Sequence, residues 1–192
     1  MIGEWCYFKS HFSKEQCEKI ISDAANIPVQ DALVGTNETT HMDTSSRRSK
    51  IRFIYEGDFR FTWLFDELWK MARSANNDFF NIHLSRLPFI QLAEYDAEYQ
   101  GEYKTHHDVF WLNGDPMYHR KLSAVIQLSD PNVYQGGDLE ITESVSSLPD
   151  VQDLRQQGTA IFFPSMFMHK ANQVTQGKRY SIAAWFEGPK WR

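Results

Sequence analysis

The sequence predicts an α+β chain that is mainly β, with helices gathered in the N-terminal part and an antiparallel β-sandwich or barrel after them. Three observations carry that expectation. Two stretches with the apolar period of a helix lie before residue 85, short apolar or alternating runs recur after Leu87, and turn signals separate those runs. A helical part of about residues 1–85 and a β-rich part of about 86–192 then make one domain. That suits 192 residues with 42% apolar and 15% aromatic content, enough to bury a sizeable core.

The first element is a helix over Ser13–Asn26, SKEQCEKIISDAAN. Ser13 and Gln16 have capping-box spacing, and Cys17, Ile20, Ile21 and Ala24 recur on one face. Residues 35–50, GTNETTHMDTSSRRSK, are polar and carry neither hydrophobic period. They read either as a solvated connection or as a lid that brings Arg47, Arg48 and Lys50 near an acidic substrate. A second helix runs from Thr62 to about Asp78, with Leu64, Leu68, Met71 and Ala75 on its buried face.

From Leu87 onward the strand candidates are FIQLAEY, VFWL, LSAVIQL, DLEI, TAIFFP and YSIAAWFE. Asn113-Gly114, Asp130-Pro131-Asn132, Gly136-Gly137 and Gln176-Gly177 punctuate them. Gly136 and Gly137 suit a strand entry at positive φ or a close backbone approach. Ile126, Phe162 and Phe163 read as core.

The formal charge of −5 gives no electrostatic case for nucleic acid or an anionic membrane as partner. No apolar run reaches the ~18 residues that a spanning helix needs. The opening MIGEWCYFKSHF lacks a basic segment followed by an apolar one, so a cytoplasmic location is expected. Cys6 and Cys17 form no CxxC pair and have no histidines at zinc-finger spacing, so they read as small buried apolar residues in a reducing compartment.

The chemistry concentrates in Gly101–Asn113, GEYKTHHDVFWLN. On a strand, residues two apart share a face, so His106 and Asp108 would project together and His107 away from them. Two ligands are too few for a tight metal site. His169 follows TAIFFP and a short connection, far enough along for hairpins to return the chain to the same end of a barrel. Two histidines and a carboxylate are the facial ligand set of non-haem Fe(II) oxygenases, which leaves positions open for other ligands. Taken as bare residues, the same three fit a polar bend as well as a site. His107 reads as structural or solvent-facing. Trp111 and Tyr118 read as substrate contacts or as packing.

The wider text resembles the Fe(II)/2-oxoglutarate-dependent dioxygenases, in their prolyl 4-hydroxylase-like branch. YKTHHD places a tyrosine three residues before the first ligand, and LSAVIQLSDPNVYQGGDLEI matches a strand, an acidic turn and a Gly-Gly-acidic-Leu motif. HKANQVTQGKRYSIAAW places Arg179 ten residues after the distal histidine, and FSKEQCEKII resembles the helix that opens the catalytic domain. The resemblance covers most of the chain and is densest from Phe89 to Trp185. Two features depart from the pattern. Tyrosines stand eight and four residues before Tyr103, at Tyr95 and Tyr99, and arginine stands at 179 where many prolyl hydroxylases have lysine.

The resemblance implies a double-stranded β-helix, a jelly-roll barrel buttressed by helices. It implies His106, Asp108 and His169 as the catalytic metal ligands for Fe(II). It implies 2-oxoglutarate as co-substrate, held by Arg179 with Tyr103 and Ser181, together with O2 and ascorbate as a supporting reductant. A guanidinium can grip a carboxylate with two parallel hydrogen bonds at any working pH, and Lys178 would face the other way on a strand. Because the ligands bind deprotonated, activity would fall as pH drops through the histidine range. The implied reaction hydroxylates an aliphatic C–H bond, peptidyl proline first, with succinate and CO2 released. The partner is then a peptide, protein or small-molecule substrate. The alternatives are a cupin-like metalloenzyme that does not use 2-oxoglutarate and a catalytically silent jelly-roll binding module.

Overall fold

The computed structural model describes residues 3–31, 45–111, 114–143 and 149–191. In chain order these form β1 (Cys6–Phe8), α1 (Lys14–Ala24), β2 (Gln30–Asp31), β3 (Arg47–Arg48), β4 (Lys50–Tyr55) and α2 (Thr62–Ala75). Next come β5 (Phe89–Asp96), β6 (Glu102–His106), β7 (Tyr118–Gln127), β8 (Tyr134–Gly136) and β9 (Leu139–Ile141). The chain closes with α3 (Val151–Arg155), β10 (Ala160–Pro164), β11 (His169–Ala171) and β12 (Val174–Pro189).

Helix α1 begins where its capping box dictates. The Ser13 hydroxyl accepts from the Gln16 amide, the Gln16 side chain accepts from the Ser13 amide, and Cys17, Ile20 and Ala24 are buried. In α2 the residues Leu64, Leu68, Met71 and Ala75 are buried as expected. Its last turn widens into a single π-helical stretch, Asn76–Phe80, stopped by Asn81 in the left-handed region. No described helix is long and apolar enough to cross a membrane.

The strands lie in two sheets. The major one runs β1-β10-β7-β12-β5-β4-β2, and the minor one runs β3-β6-β11-β9. From β5 onward the chain alternates between them: β5, β7, β10 and β12 are in the major sheet, and β6, β9 and β11 in the minor one. That alternation is the winding of a jelly roll, whose sheets face each other across a layer of side chains. Among the described residues no ladder closes the two sheets into a barrel, and they form an open sandwich. The N-terminal part adds β1 at one edge of the major sheet and β2 and β4 at the other, while β3 extends the minor sheet.

Alternation along the strands separates two faces of the major sheet. Leu92, Leu122, Ala124, Ile126, Phe162, Ile182, Ala184 and Phe186 pack with α1 and α2 in the principal core. The intervening residues Gln91, Ala93, Ser123, Gln127, Arg179 and Ser181 face the minor sheet, and all six are buried. Phe163 belongs to the inter-sheet side with Ile141 and Ile161. Cys17 is fully buried, while Cys6 is only partly so, and both thiols are free.

Two local expectations change. VFWL forms no strand: Val109 is buried, but Phe110 and Trp111 are exposed, and Leu112 lies outside the described residues. The segment carries the chain from the minor to the major sheet. Gly136 and Gly137 do take positive φ, at 71° and 70°. A Cβ on Gly136 would stand 2.2 Å from the Gln173 carbonyl oxygen, so only glycine fits.

Leu68 is fully buried in α2 against the major sheet. Leu68→Ala is expected to lower unfolding stability by about 2–5 kcal/mol through lost transfer energy and the cavity left behind. Urea denaturation should show a lower midpoint with an unchanged slope.

Candidate metal centre

Strand β11 pairs antiparallel with β6 so that His169 stands directly opposite His106. Each imidazole is fixed by its own backbone. His106 Nδ1 donates to the Lys104 carbonyl at 2.8 Å, and His169 Nδ1 donates to the Phe167 carbonyl at 2.9 Å. With the proton on Nδ1, the Nε2 lone pair of each ring is free to ligate. Both point at Asp108, at 3.7 Å from His106 Nε2 to Oδ1 and 3.5 Å from His169 Nε2 to Oδ2. The three ligand atoms lie within 4.8 Å of one another, and among the described residues no other such trio occurs.

Asp108 reaches this position by a route the strand argument missed. Strand β6 ends at His106, and Asp108 lies beyond it in the connection, where its amide donates to the Ser165 carbonyl at 2.9 Å. Face parity therefore does not apply to it; the anchoring to the turn after β10 does. His107 is exposed, as expected. The Ser123 hydroxyl donates to Asp108 Oδ2 at 2.6 Å and contacts the Ser165 hydroxyl at 2.9 Å.

Rings hold the histidines from the sides. Tyr103 stacks on His106 with centroids 3.5 Å apart, and Phe163 meets His169 edge-on at 4.7 Å. Burial, helped by the neighbouring His169, pushes His106 down to about 3. Its ring is therefore neutral across the ordinary histidine range, with the Nε2 lone pair available to a ligand cation. Burial alone would raise the Asp108 carboxyl, but His169, His106, Arg120 and the Ser123 hydroxyl outweigh it and hold it below the usual carboxylate range.

Two imidazole nitrogens and one carboxylate, with the second nitrogen of each ring already engaged, fit a divalent cation of the Fe(II) type. The trio opens on one side into a cavity of roughly 510 Å³, counted with its mouth, which Tyr95, Tyr103, Arg179 and Ser181 also line.

Arg179 is 4% exposed on β12, where it pairs with Tyr95 of β5. Its Nε donates to Gln127 Oε1 at 3.0 Å, and Gln127 in turn donates to the Tyr134 hydroxyl at 2.8 Å. Arg155 stacks 4.4 Å over the Tyr134 ring and bonds the Tyr134 and Gly136 carbonyls and Asp138. The guanidinium also reaches the Tyr134 phenol and lines the cavity. Burial raises the Tyr103 phenol, so it stays protonated as a donor. Lys178 points away and pairs with Asp96 at 2.9 Å. The residues present thus fit a small dicarboxylate with one end at the cation and the other at Arg179.

Of the loop read as a possible lid, residues 35–44 lie outside the described residues. Arg48 pairs with Glu102 at 2.7 Å, Lys50 is exposed, and only Arg47 reaches the cavity. Trp111 and Tyr118 do not line it. Ser123, Gln127 and Tyr134 were not singled out from the sequence. The signal for two of them was present, because Ser123 and Gln127 are polar residues in the apolar run LSAVIQL, two steps of alternation apart.

Removing the Ser123 hydroxyl leaves Asp108 with one fewer donor to fix its rotamer. Ser123→Ala is expected to weaken Fe(II) binding about 10- to 100-fold, as loss of an outer partner of a ligand does. Anaerobic metal titration reads this directly, and unchanged affinity would remove Ser123 from the site.

Residues 90–187 match the family model for the 2OG-Fe(II) oxygenase superfamily. Among curated proteins, a PKHD-type hydroxylase of Synechococcus sp. is 33% identical over 91 residues, 47% of this chain and 39% of that protein. A PKHD-type hydroxylase of Pseudomonas putida is 37% identical over 65 residues, 33% of this chain and 27% of that protein. The chain thus spans less than half the length of these relatives. Two solved structures share the fold over nearly all of both chains. A Pseudomonas putida prolyl-4-hydroxylase has TM-score 0.69 and 18% identity, covering 97% of this chain and 94% of that one. The viral collagen prolyl hydroxylase of Paramecium Bursaria Chlorella virus-1, solved with 2OG, has TM-score 0.69 and 17% identity, covering 96% of each. With the family match spanning half of its length and enclosing the His-Asp-His trio, the chain belongs to the 2OG-Fe(II) oxygenase superfamily.

Proposed function

We propose that this chain is an Fe(II)- and 2-oxoglutarate-dependent dioxygenase that hydroxylates an aliphatic C–H bond, with a proline residue of a peptide as the leading substrate class. One observation carries the reading: the His106, Asp108 and His169 ligand atoms and the buried Arg179 line one cavity. When bound, Fe(II) with 2-oxoglutarate supplies the oxidation, converting 2-oxoglutarate and O2 to succinate and CO2 as one oxygen atom enters the C–H bond.

The protein's own part is positioning and exclusion of water. His106, Asp108 and His169 would hold the ion. Arg179 would take the far carboxylate of the co-substrate through guanidinium N–H groups that Gln127 does not use, while Tyr103 and Ser181 supply neutral donors. Gln127, braced by Tyr134 and Arg155, prevents the Arg179 guanidinium from rotating out of line. Tyr103 has a second role, since its stack on His106 keeps that ring from turning.

The proline assignment rests on the PKHD-type relatives and the prolyl hydroxylases of like fold. One of these, from Trichoplax adhaerens, was solved with a peptide fragment of a hypoxia inducible factor and has TM-score 0.71 and 14% identity, covering 96% of this chain and 83% of that one. The two free thiols accord with a cytoplasmic setting.

An anaerobic titration with Fe(II) and then 2-oxoglutarate, followed in the visible range, tests the reading. A charge-transfer band that needs both components, and is lost in His169→Ala, is the expected result. Arg179→Ala should shift the 2-oxoglutarate midpoint up by about 10- to 100-fold, the loss of a charge-assisted hydrogen-bonded pair worth roughly 1.5–3 kcal/mol. Iron binding without a 2-oxoglutarate band would overturn the proposal.

A further inference from the structure

Along β12 the cavity face runs Arg179, Ser181, Ala183 and Trp185, each two residues on from the last. Arg179 closes one end. Two more guanidiniums stand near the other end: Arg47 lines the cavity, and Arg120 packs on the ring of Trp185, which lines it.

The first belongs to Arg120. Strands β7 and β12 pair regularly as far as Leu122 and Phe186, and then Arg120 stands opposite Glu187, which leaves Lys121 as the extra residue of a bulge. A bulge re-aims the side chains next to it. Lys121 turns to Trp191, its ammonium 4.0 Å from that ring, and Arg120 returns to the face of Ser123. Its guanidinium lies 4.0 Å from the Trp185 ring and 4.8 Å from Phe110.

The second belongs to Arg47, which is 7% exposed. From the minor sheet it crosses to Gln91 of the major one, with Nη2 donating to Gln91 Oε1 at 2.7 Å and Nε to Ser49 at 2.7 Å. It lies 4.3 Å over the Tyr103 ring.

Neither guanidinium forms an ion pair among the described residues, and Arg120 forms no hydrogen bond among them. The acids nearby are engaged. Glu187 is held by Arg86 at 2.5 Å, and Asp108 is a ligand candidate for the cation. With the ion in place and 2-oxoglutarate spanning from it to Arg179, this end of the cavity keeps an excess of positive charge in a setting poor in water. Such a place favours an anion.

We propose that Arg47 and Arg120 bind a carboxylate of the substrate, so that the hydroxylated molecule is an acid whose reacting C–H bond lies close to that group, with Trp185 and Phe110 as the apolar wall. The inference rests on the oxygenase reading and narrows its substrate class. The carboxylate can belong to a free imino or amino acid, to the C-terminus of a peptide, or to an acidic side chain next to the reacting residue.

Isothermal titration of the Fe(II)- and 2-oxoglutarate-loaded protein without oxygen tests it, because binding is read without turnover. The probes are matched pairs: L-proline and L-prolinamide, acetyl-Ala-Ala-Pro as acid and as amide, and acetyl-Ala-Pro-Asp-Ala amide with its Asn counterpart. At least one acid is expected to bind about tenfold or more tighter than its neutral partner, as a charge-assisted pair requires. The pair that discriminates identifies the source of the carboxylate. Arg47→Gln and Arg120→Gln should each shrink the preference, Arg120→Lys should keep part of it, and thermal melts by circular dichroism confirm that the variants fold. Equal binding within every pair, or no binding by any acid while 2-oxoglutarate binds normally, overturns the inference. Absence of the 2-oxoglutarate isotherm itself overturns the oxygenase reading, and this one with it.

Discussion

The pairing of β6 with β11 is the constraint on which the candidate site depends. It sets His106 opposite His169 across an antiparallel ladder, and a one-residue slip would turn one of the two rings to the other side of the sheet. A strand of three residues would hold its register weakly by itself. Here β11 is clamped on both edges, by β6 on one side and by β9 on the other, where His169, Lys170 and Ala171 pair with Ile141, Glu140 and Leu139. The stacks of Tyr103 and Phe163 on the two imidazoles add contacts that only the native register supplies. The backbone carbonyls of Lys104 and Phe167 then fix both tautomers. The placement of the two imidazoles is thus a product of strand pairing.

Strand β12 organises the rest. It is central in the major sheet, pairing with β5 on one edge and β7 on the other, so the side chains on its cavity face cannot shift without breaking two ladders. Its outward residues Ile182, Ala184 and Phe186 pack on the helices, and its inward ones run from Arg179 to Trp185. The helices thereby act on the site at one remove, by pressing the sheet into place. Arg155 acts in the same indirect way from the short helix α3, tying the Tyr134 and Gly136 carbonyls and the Tyr134 ring behind Gln127.

Charge decides what the two ends of the cavity can hold. Each end carries arginine, but the settings differ. Arg179 is backed by neutral donors and acceptors, which leaves its charge for one carboxylate. Arg120 lies among aromatic rings, 4.0 Å from Trp185 and 4.8 Å from Phe110, an arrangement that suits a weakly hydrated guanidinium. The bulge at Lys121 produces this difference, because a regular ladder would have placed Arg120 on the helix-packed face with Leu122 and Ala124.

The sequence by itself determined the elements whose signals are local. The capping box at Ser13 and Gln16 placed α1, alternation in LSAVIQL and YSIAAWFE placed the inner strands, and parity set Arg179 and Lys178 on opposite faces of one strand. The ligand trio was nameable from residue types and from resemblance. What only the tertiary structure decided is how those residues meet. Asp108 lies off its strand and is positioned by the turn after β10, Arg47 comes to the cavity from a segment whose composition reads as a loop, and Lys121 is the bulge that redirects Arg120. Periodicity reports which side of its own element a residue faces. It carries no information on contacts between segments far apart in the chain, and those contacts supply the partners that brace the ligands, the bulge and the basic mouth.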